Sequence, residues 1–242
     1  MRHVSTVGMG LRGCMLPWEL LGEARTPDGA PMALTRRGNE YMILVDGKDL
    51  MSSRMFGSEE ALVTIGCERA RTMEAPTVLV GGLGMGFTLR AALRTLPAEA
   101  RIVCAELMPA VVEWNQGPLG PLAGHPLRDP RVELAVGDVG ALLRASPGRF
   151  DAILLDVDNG PSAFTLQSNA GLYGNAGLEM SRAALRPGGV YAVWSASDDR
   201  KFEHRLRHHG FRAVTHHVRA RLSKGGPRHT IFTGLLPVAH GD

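Results

Sequence analysis

The chain has 242 residues, 44% hydrophobic and 21% charged, enough for one large globular domain or a main domain with a small appendage. No apolar run is long enough to span a bilayer, and the first residues, Met1 to Gly8, lack the apolar core and cleavage site of a secretory leader. Three widely spaced cysteines, Cys14, Cys67 and Cys104, without a CxxC pair, argue against a disulfide framework and a zinc site, and point to a cytoplasmic protein.

The first segment, to about Met55, reads as β structure: Trp18–Ala24, Met32–Thr35 and Glu40–Val45 are strands separated by Pro27-Asp28-Gly29 and Arg37-Gly38-Asn39. Asp46-Gly47 closes the third strand. So small a sheet has no large core of its own, and is expected to pack on the main domain or on a partner subunit. Glu59–Arg71 has helical spacing with Ser58 as N-cap. A buried strand, Thr77–Val80, then breaks into Gly81-Gly82-Leu83-Gly84-Met85-Gly86 and a helix from Thr88 to Leu96, ended by Pro97.

Arg101–Ala105 is the next strand, and Pro109 opens a helix carrying Val111, Val112 and Trp114. Gly117–Pro130 reads as loop, Arg131–Val136 as strand, and Val139, Leu142 and Leu143 mark a short helix. Phe150–Leu155 is a buried strand. A polar stretch to about Gly171, a helix through Glu179–Leu185 and the turn Arg186-Pro187-Gly188-Gly189 lead to strand Val190–Trp194. Ser197 or Asp198 caps a helix to His209. Phe211–Val218 and Thr230–Leu236 form a closing antiparallel pair. Alternating strands and helices predict a mostly parallel, doubly wound α/β sheet, with a site at the carboxyl ends of its strands.

The chemistry-bearing residues fall at those ends. Gly82, Gly84 and Gly86 let a ligand lie on bare backbone at a helix start. Glu106, with Leu107 beside it, follows the second strand about two dozen residues on, the spacing that brings an acid to a ribose. Asp138 follows the third strand, where a short acid can accept from an adenine amino group and the Val139 N–H can reach a ring nitrogen; it can equally cap the following helix. Asp156 ends the fourth strand and is followed by Asp158 and Asn159, acids and an amide placed to hold an ammonium group or take its proton. Asn159-Gly160-Pro161 is also a good turn in its own right.

The net charge is +3, and the excess of Arg, Lys and His lies between Arg200 and His229. A solvated face is the favoured reading; an anionic partner such as RNA is the alternative. The histidines His204, His208, His209, His216 and His217 lack the acids or cysteines of a metal site, so no metal is expected.

Residues 55–236 resemble the spermidine synthase-like family, a branch of the class I S-adenosylmethionine-dependent methyltransferase fold. The resemblance is carried by Val78–Arg90, Glu106, Asp129-Pro130-Arg131-Val132 leading to Gly137-Asp138, Phe150-Asp151 through Leu155-Asp156, and Leu185-Arg186-Pro187-Gly188-Gly189. It implies a Rossmann-like domain over residues 56–242 behind a small β-sheet region over 1–55, which in the family often serves homo-oligomer association. It implies an adenosyl sulfonium cofactor, S-adenosylmethionine or its decarboxylated form, with Glu106 on the ribose, Asp138 on the adenine and Asp156 deprotonating a small amine acceptor. Three positions depart from the family pattern. Met85 replaces an acid that grips the aminopropyl amine. Phe56-Gly57-Ser58-Glu59 stands where a Tyr-His-Glu motif is expected, and Asn159 replaces an acid. Aminopropyl and methyl transfer both remain open at this point, as does a binding protein without turnover.

Overall fold

The computed structural model describes residues 16–157, 160–161, 170–221 and 226–238. Asp158, Asn159 and Cys14 lie outside them. Four antiparallel strands come first, β1 (Glu19–Arg25), β2 (Pro31–Arg37), β3 (Glu40–Val45) and β4 (Lys48–Ser52), paired in sequence order. The last was not expected. Asp46 and Gly47 both have positive φ, 53° and 72°, as a two-residue type I′ hairpin turn requires. Asp46-Gly47 therefore joins β3 to another strand instead of ending the sheet.

The main sheet contains β5 (Thr77–Gly81), β6 (Arg101–Glu106), β7 (Val132–Val136), β8 (Phe150–Leu155), β9 (Leu185–Ser195), β10 (Arg212–Arg219) and β11 (Arg228–Leu235). Their spatial order is β10-β11-β9-β8-β5-β6-β7. β5 pairs in parallel with both β6 and β8, so the winding reverses there, and β11 runs antiparallel between β9 and β10. The helices are α1 (Gly57–Gly66), α2 (Phe87–Thr95), α3 (Pro109–Gln116), α4 (Val139–Arg144), α5 (Ala170–Tyr173), α6 (Asn175–Ala184) and α7 (Arg200–His208). Among the described residues no helix is long and apolar enough to cross a membrane.

The central strands are apolar on both faces because both are covered. Val78, Val80, Ile102, Cys104, Ala152 and Leu154 face one core, while Leu79, Val103, Ala105, Ile153 and Leu155 face the other. Successive residues alternate between the two, as the strand period dictates. Met32, Leu34 and Ile43 of the small sheet join the first core, alongside Leu62, Leu83 and Trp114. A side chain on Gly22 would come within 2.4 Å of Trp114 Nε1, so bare backbone lets the α3 indole lie on β1. Of the two packing options for the small sheet, the structure shows it against the main domain. Cys67 and Cys104 are buried free thiols, and burial pushes Cys67 up to about 12.

Three local expectations change. Ser58 does not cap α1: the N-cap position is Phe56, without a side-chain cap, and Ser58 lies inside the first turn. Asp199, not Ser197 or Asp198, caps α7, its Oδ1 accepting from the Phe202 N–H at 3.0 Å. Arg186-Pro187-Gly188-Gly189 does not interrupt the strand. It sits within β9 beside a register shift, kept paired because the Gly188 N–H donates to Leu236 O and the Leu236 N–H to Gly189 O, each at 2.9 Å.

The α2 carboxyl end is closed by Arg131. Its Nη2 donates to Leu93 O at 3.0 Å, its Nη1 to Pro97 O at 3.3 Å, and Asp129 holds the guanidinium through both oxygens at 3.0 Å. Helix ends leave such carbonyls without partners. Arg131→Ala is expected to destabilise the protein by about 1–2 kcal/mol, read by urea denaturation. Arg131→Lys should recover only part of the loss, since an ammonium lacks the planar fork.

Candidate functional site

The strand ends converge because the pairing continues past them. The Gly82 N–H donates to Ala105 O, the Asp156 N–H to Gly81 O and the Gly137 N–H to Glu106 O, all at 2.8 Å. Gly82 has φ 96°, and a Cβ there would lie 2.2 Å from Asp156 O. Both the conformation and the contact demand glycine. A Cβ on Gly84 would come 2.6 Å from Met51 Cε, so the small sheet presses on this turn from above. Asn115 Nδ2 donates to Gly84 O at 2.8 Å and ties the turn to α3.

A pocket of about 990 Å³, including its open mouth, lies over these ends. Gly82, Gly84, Glu106, Leu107, Asp138, Val139 and Asp156 all line it. Gly86 is not in the lining; it is the N-cap residue of α2. The opposite wall comes from the small sheet, including Met32, Ile43, Leu50 and Met51. The cavity therefore has an apolar roof and an acidic, glycine-lined floor.

Glu106 is buried, 8% exposed. Its Oε2 accepts from the Leu83 N–H at 2.9 Å and its Oε1 from the Met108 N–H at 2.8 Å. Burial raises its pKa, against the opposing effect of these backbone donors. The carboxylate lines the pocket, an acceptor-only group suited to hydroxyl donors. Asp138 accepts from the Ala141 N–H at 2.6 Å through Oδ1, which makes it the α4 cap, while it also lines the pocket. Glu106 and Asp138 thus present carboxylate acceptors to a space between the glycine turn and the apolar roof.

Asp156 stands at the other end of the floor. It is half-buried, open to the pocket and packed elsewhere, and its Oδ2 accepts from Thr88 Oγ1 at 2.5 Å. Burial pushes its pKa up to about 6, which the Thr88 hydrogen bond opposes. A second acid lies within electrostatic reach. Glu59 of α1 is 8% exposed; burial and then the Asp156 charge push it up to about 8. Each charge disfavours the other in a poor solvent, so the two acids resist simultaneous ionisation and titrate together. Met85 points elsewhere, 1% exposed and packed in the first core.

No protein-family model matches the chain. The polyamine aminopropyltransferase of Mycobacterium tuberculosis (strain CDC 1551 / Oshkosh) is 32% identical over 170 residues, 69% of this chain and 31% of that protein. The crystal structure of spermidine synthase from Thermotoga maritima superposes with a TM-score of 0.70 at 16% identity, covering 90% of this chain and 73% of that one. The chain is related to the polyamine aminopropyltransferases and has the spermidine synthase fold. Putrescine N-methyltransferase 4 of Nicotiana tabacum is 35% identical over 121 residues, 50% of this chain and 30% of that protein. The chain spans about a third of the length of the curated relatives it matches.

Sequence reasoning placed the floor of the pocket but missed its roof, Thr88 and the pairing of Glu59 with Asp156. The signals on Glu59 were Ser58-Glu59 at a helix start, which resembled a cap, and the Tyr-His-Glu alignment, which drew attention to the missing Tyr and His. Because Glu59 holds its proton more tightly folded than unfolded, stability falls as pH rises from the ordinary carboxyl range to about 8. Thermal melts between pH 5 and 9 should show this fall, and Glu59→Gln, which keeps the shape without the charge, should flatten it.

Proposed function

We propose that the chain is a spermidine synthase-like transferase that alkylates an amine from an adenosyl sulfonium, with aminopropyl transfer from decarboxylated S-adenosylmethionine to a polyamine as the first reading. The observation that carries it is the placement of Asp156 in one pocket with Glu106 and Asp138, with the buried Glu59 within electrostatic reach. The aminopropyltransferase relative supports the choice of group. A sulfonium nucleoside, when bound, supplies an electrophilic carbon and a neutral thioether leaving group. Glu106 and Asp138 hold its adenosine, and the glycine turn lets it lie close to Asp156. Asp156 then orients an ammonium and takes its proton, leaving a lone pair free to attack. Thr88 fixes the carboxylate that does so. Most of the acceleration comes from holding the amine in line.

Methyl transfer from S-adenosylmethionine is the second reading. It is favoured by Met85, which stands where the family pattern has an acid in the glycine turn, and by the putrescine N-methyltransferase relative. We also propose that residues 1–55 and 56–242 are two functional parts, the first roofing the pocket and the second holding the nucleoside, and that β1, with Leu20 54% exposed, serves homo-oligomer association. Within the basic stretch, Arg205 and Arg207 are paired with Asp199 and Glu203 at 3.8 and 2.5 Å, which supports a solvated face over an RNA surface.

Calorimetry with S-adenosylmethionine, its decarboxylated form and their thioether products tests the reading. At least one should bind, and Glu106→Gln should weaken it about tenfold to a hundredfold. Asp156→Asn should lower kcat about 10²- to 10⁴-fold on an amine panel. Absence of binding by all four ligands would overturn the reading.

A further inference from the structure

The buried Glu59 is not isolated from the far side of the sheet. Ser58 Oγ donates to Glu59 Oε2 at 2.7 Å, and His229 Nδ1 of β11 lies 2.9 Å from the same hydroxyl. Ser58 is fully buried, and its hydroxyl has one proton to give. The donor order along the three groups is therefore all or none. If Ser58 donates to Glu59, His229 must carry its proton on Nδ1. If a protonated Glu59 donates to Ser58, the Ser58 proton turns to an unprotonated Nδ1. His229 is half-buried, held edge-on by the Trp194 ring with centroids 4.7 Å apart. Its Nε2 has no hydrogen-bond partner among the described residues.

We propose that Ser58 and His229 form a proton link between the Glu59–Asp156 acid pair and solvent. The link rests on the transferase reading for its use, though not for its existence. When an ammonium acceptor is alkylated, a nitrogen–carbon bond forms, the carbon–sulfur bond breaks and its electron pair stays on sulfur. One proton is released, and Asp156 takes it. Glu59 then gives up its proton: Glu59 Oε2–H passes to Ser58 Oγ, the Ser58 hydroxyl proton passes to His229 Nδ1, and the His229 Nε2–H goes to water. The Asp156 proton moves to the vacated Glu59 carboxylate through a bridging water, which frees Asp156 for the next acceptor. Exchange with water while the Ser58 contact is open restores the imidazole. Ser58 and His229 are not in the pocket lining; they are positioning residues acting through Glu59.

The charged surroundings are few. On α1, Glu60 follows Glu59 and is ion-paired at 3.1 Å with Arg90 of α2. Asp156 follows β8. On the His229 side, Arg219 of β10 and Arg228 of β11 pair one position along the ladder, and Val218 lies opposite His229. Burial lowers the His229 pKa, which keeps its ring neutral and able to receive a proton near pH 7.

The first test needs no turnover. Nitrogen-15 histidine spectra of the ligand-free protein between pH 5.5 and 9.5 should show His229 passing from the Nε2–H to the Nδ1–H tautomer as Glu59 loses its proton. Glu59→Gln and Ser58→Ala should each abolish the conversion. The same tautomer and titration in all three proteins would overturn the link. The second test uses transfer to amines. His229→Gln and His229→Phe, each checked for a native melting transition, should lower kcat about tenfold with little change in the amine KM, and added imidazole should restore it. Wild-type kcat and pH profile in both variants would overturn the proton route. A wild type that transfers nothing would instead remove the transferase reading, leaving the tautomer conversion as the deciding measurement.

Discussion

The site depends on one steric constraint, the contact of Gly82 with the backbone carbonyl of Asp156. A Cβ at that turn would sit 2.2 Å from the carbonyl oxygen, so any other residue forces the end of β8 away from the end of β5. That separation would break the Asp156 N–H bond to Gly81 O and move Asp156 away from Thr88. The strand order reverses at β5, which opens a crevice there in any doubly wound sheet. What the absent side chain adds is the close approach of an acid to the crevice floor.

Electrostatics then divides that floor. Glu106 is buried but surrounded by backbone donors, so its carboxylate is held rigidly at the pocket wall. Asp156 has one hydroxyl partner and an acid neighbour. The first arrangement suits neutral hydroxyls, whose donation a carboxylate needs. The second suits a cation, because the pair is relieved by any positive charge placed between pocket and protein. One pocket thus has a polar neutral end and a cation-seeking end.

The doubly wound sheet was legible because its strands are short apolar runs punctuated by Gly, Pro and Asp, and because Glu106, Asp138 and Asp156 each follow a strand directly. Local endings were less so. Ser58 looked like a cap because serine just before a helical run is a usual N-cap signature, yet its hydroxyl turns to Glu59 and His229 instead. His229 is 171 residues from Ser58, and no spacing rule reports a pair that only the β11–β9 pairing brings together. The roof was missed for the same reason: Met32 and Ile43 read as an ordinary strand core, Met51 lay in no expected strand, and only packing turns that face toward the glycines.

Met85 sharpens the choice of cofactor tail. Its side chain is turned into the core, so the glycine turn offers backbone but no charge. The acids lining the pocket are Glu106, Asp138 and Asp156 among the described residues, and on the proposed reading the first two hold the nucleoside. A tail carrying a carboxylate would meet Asp156 and the nearby Glu59 with no cationic side chain in the lining to offset them. A tail carrying only an ammonium would be attracted to the same two acids, and would compete there with the ammonium of the acceptor. We infer that Glu59, by keeping its proton near neutral pH, limits this competition: one net negative charge remains at the reactive end, enough to draw one cation at a time to Asp156. On this charge count, the amine-only tail is the better match, which places aminopropyl transfer ahead of methyl transfer even with the turn acid replaced by methionine.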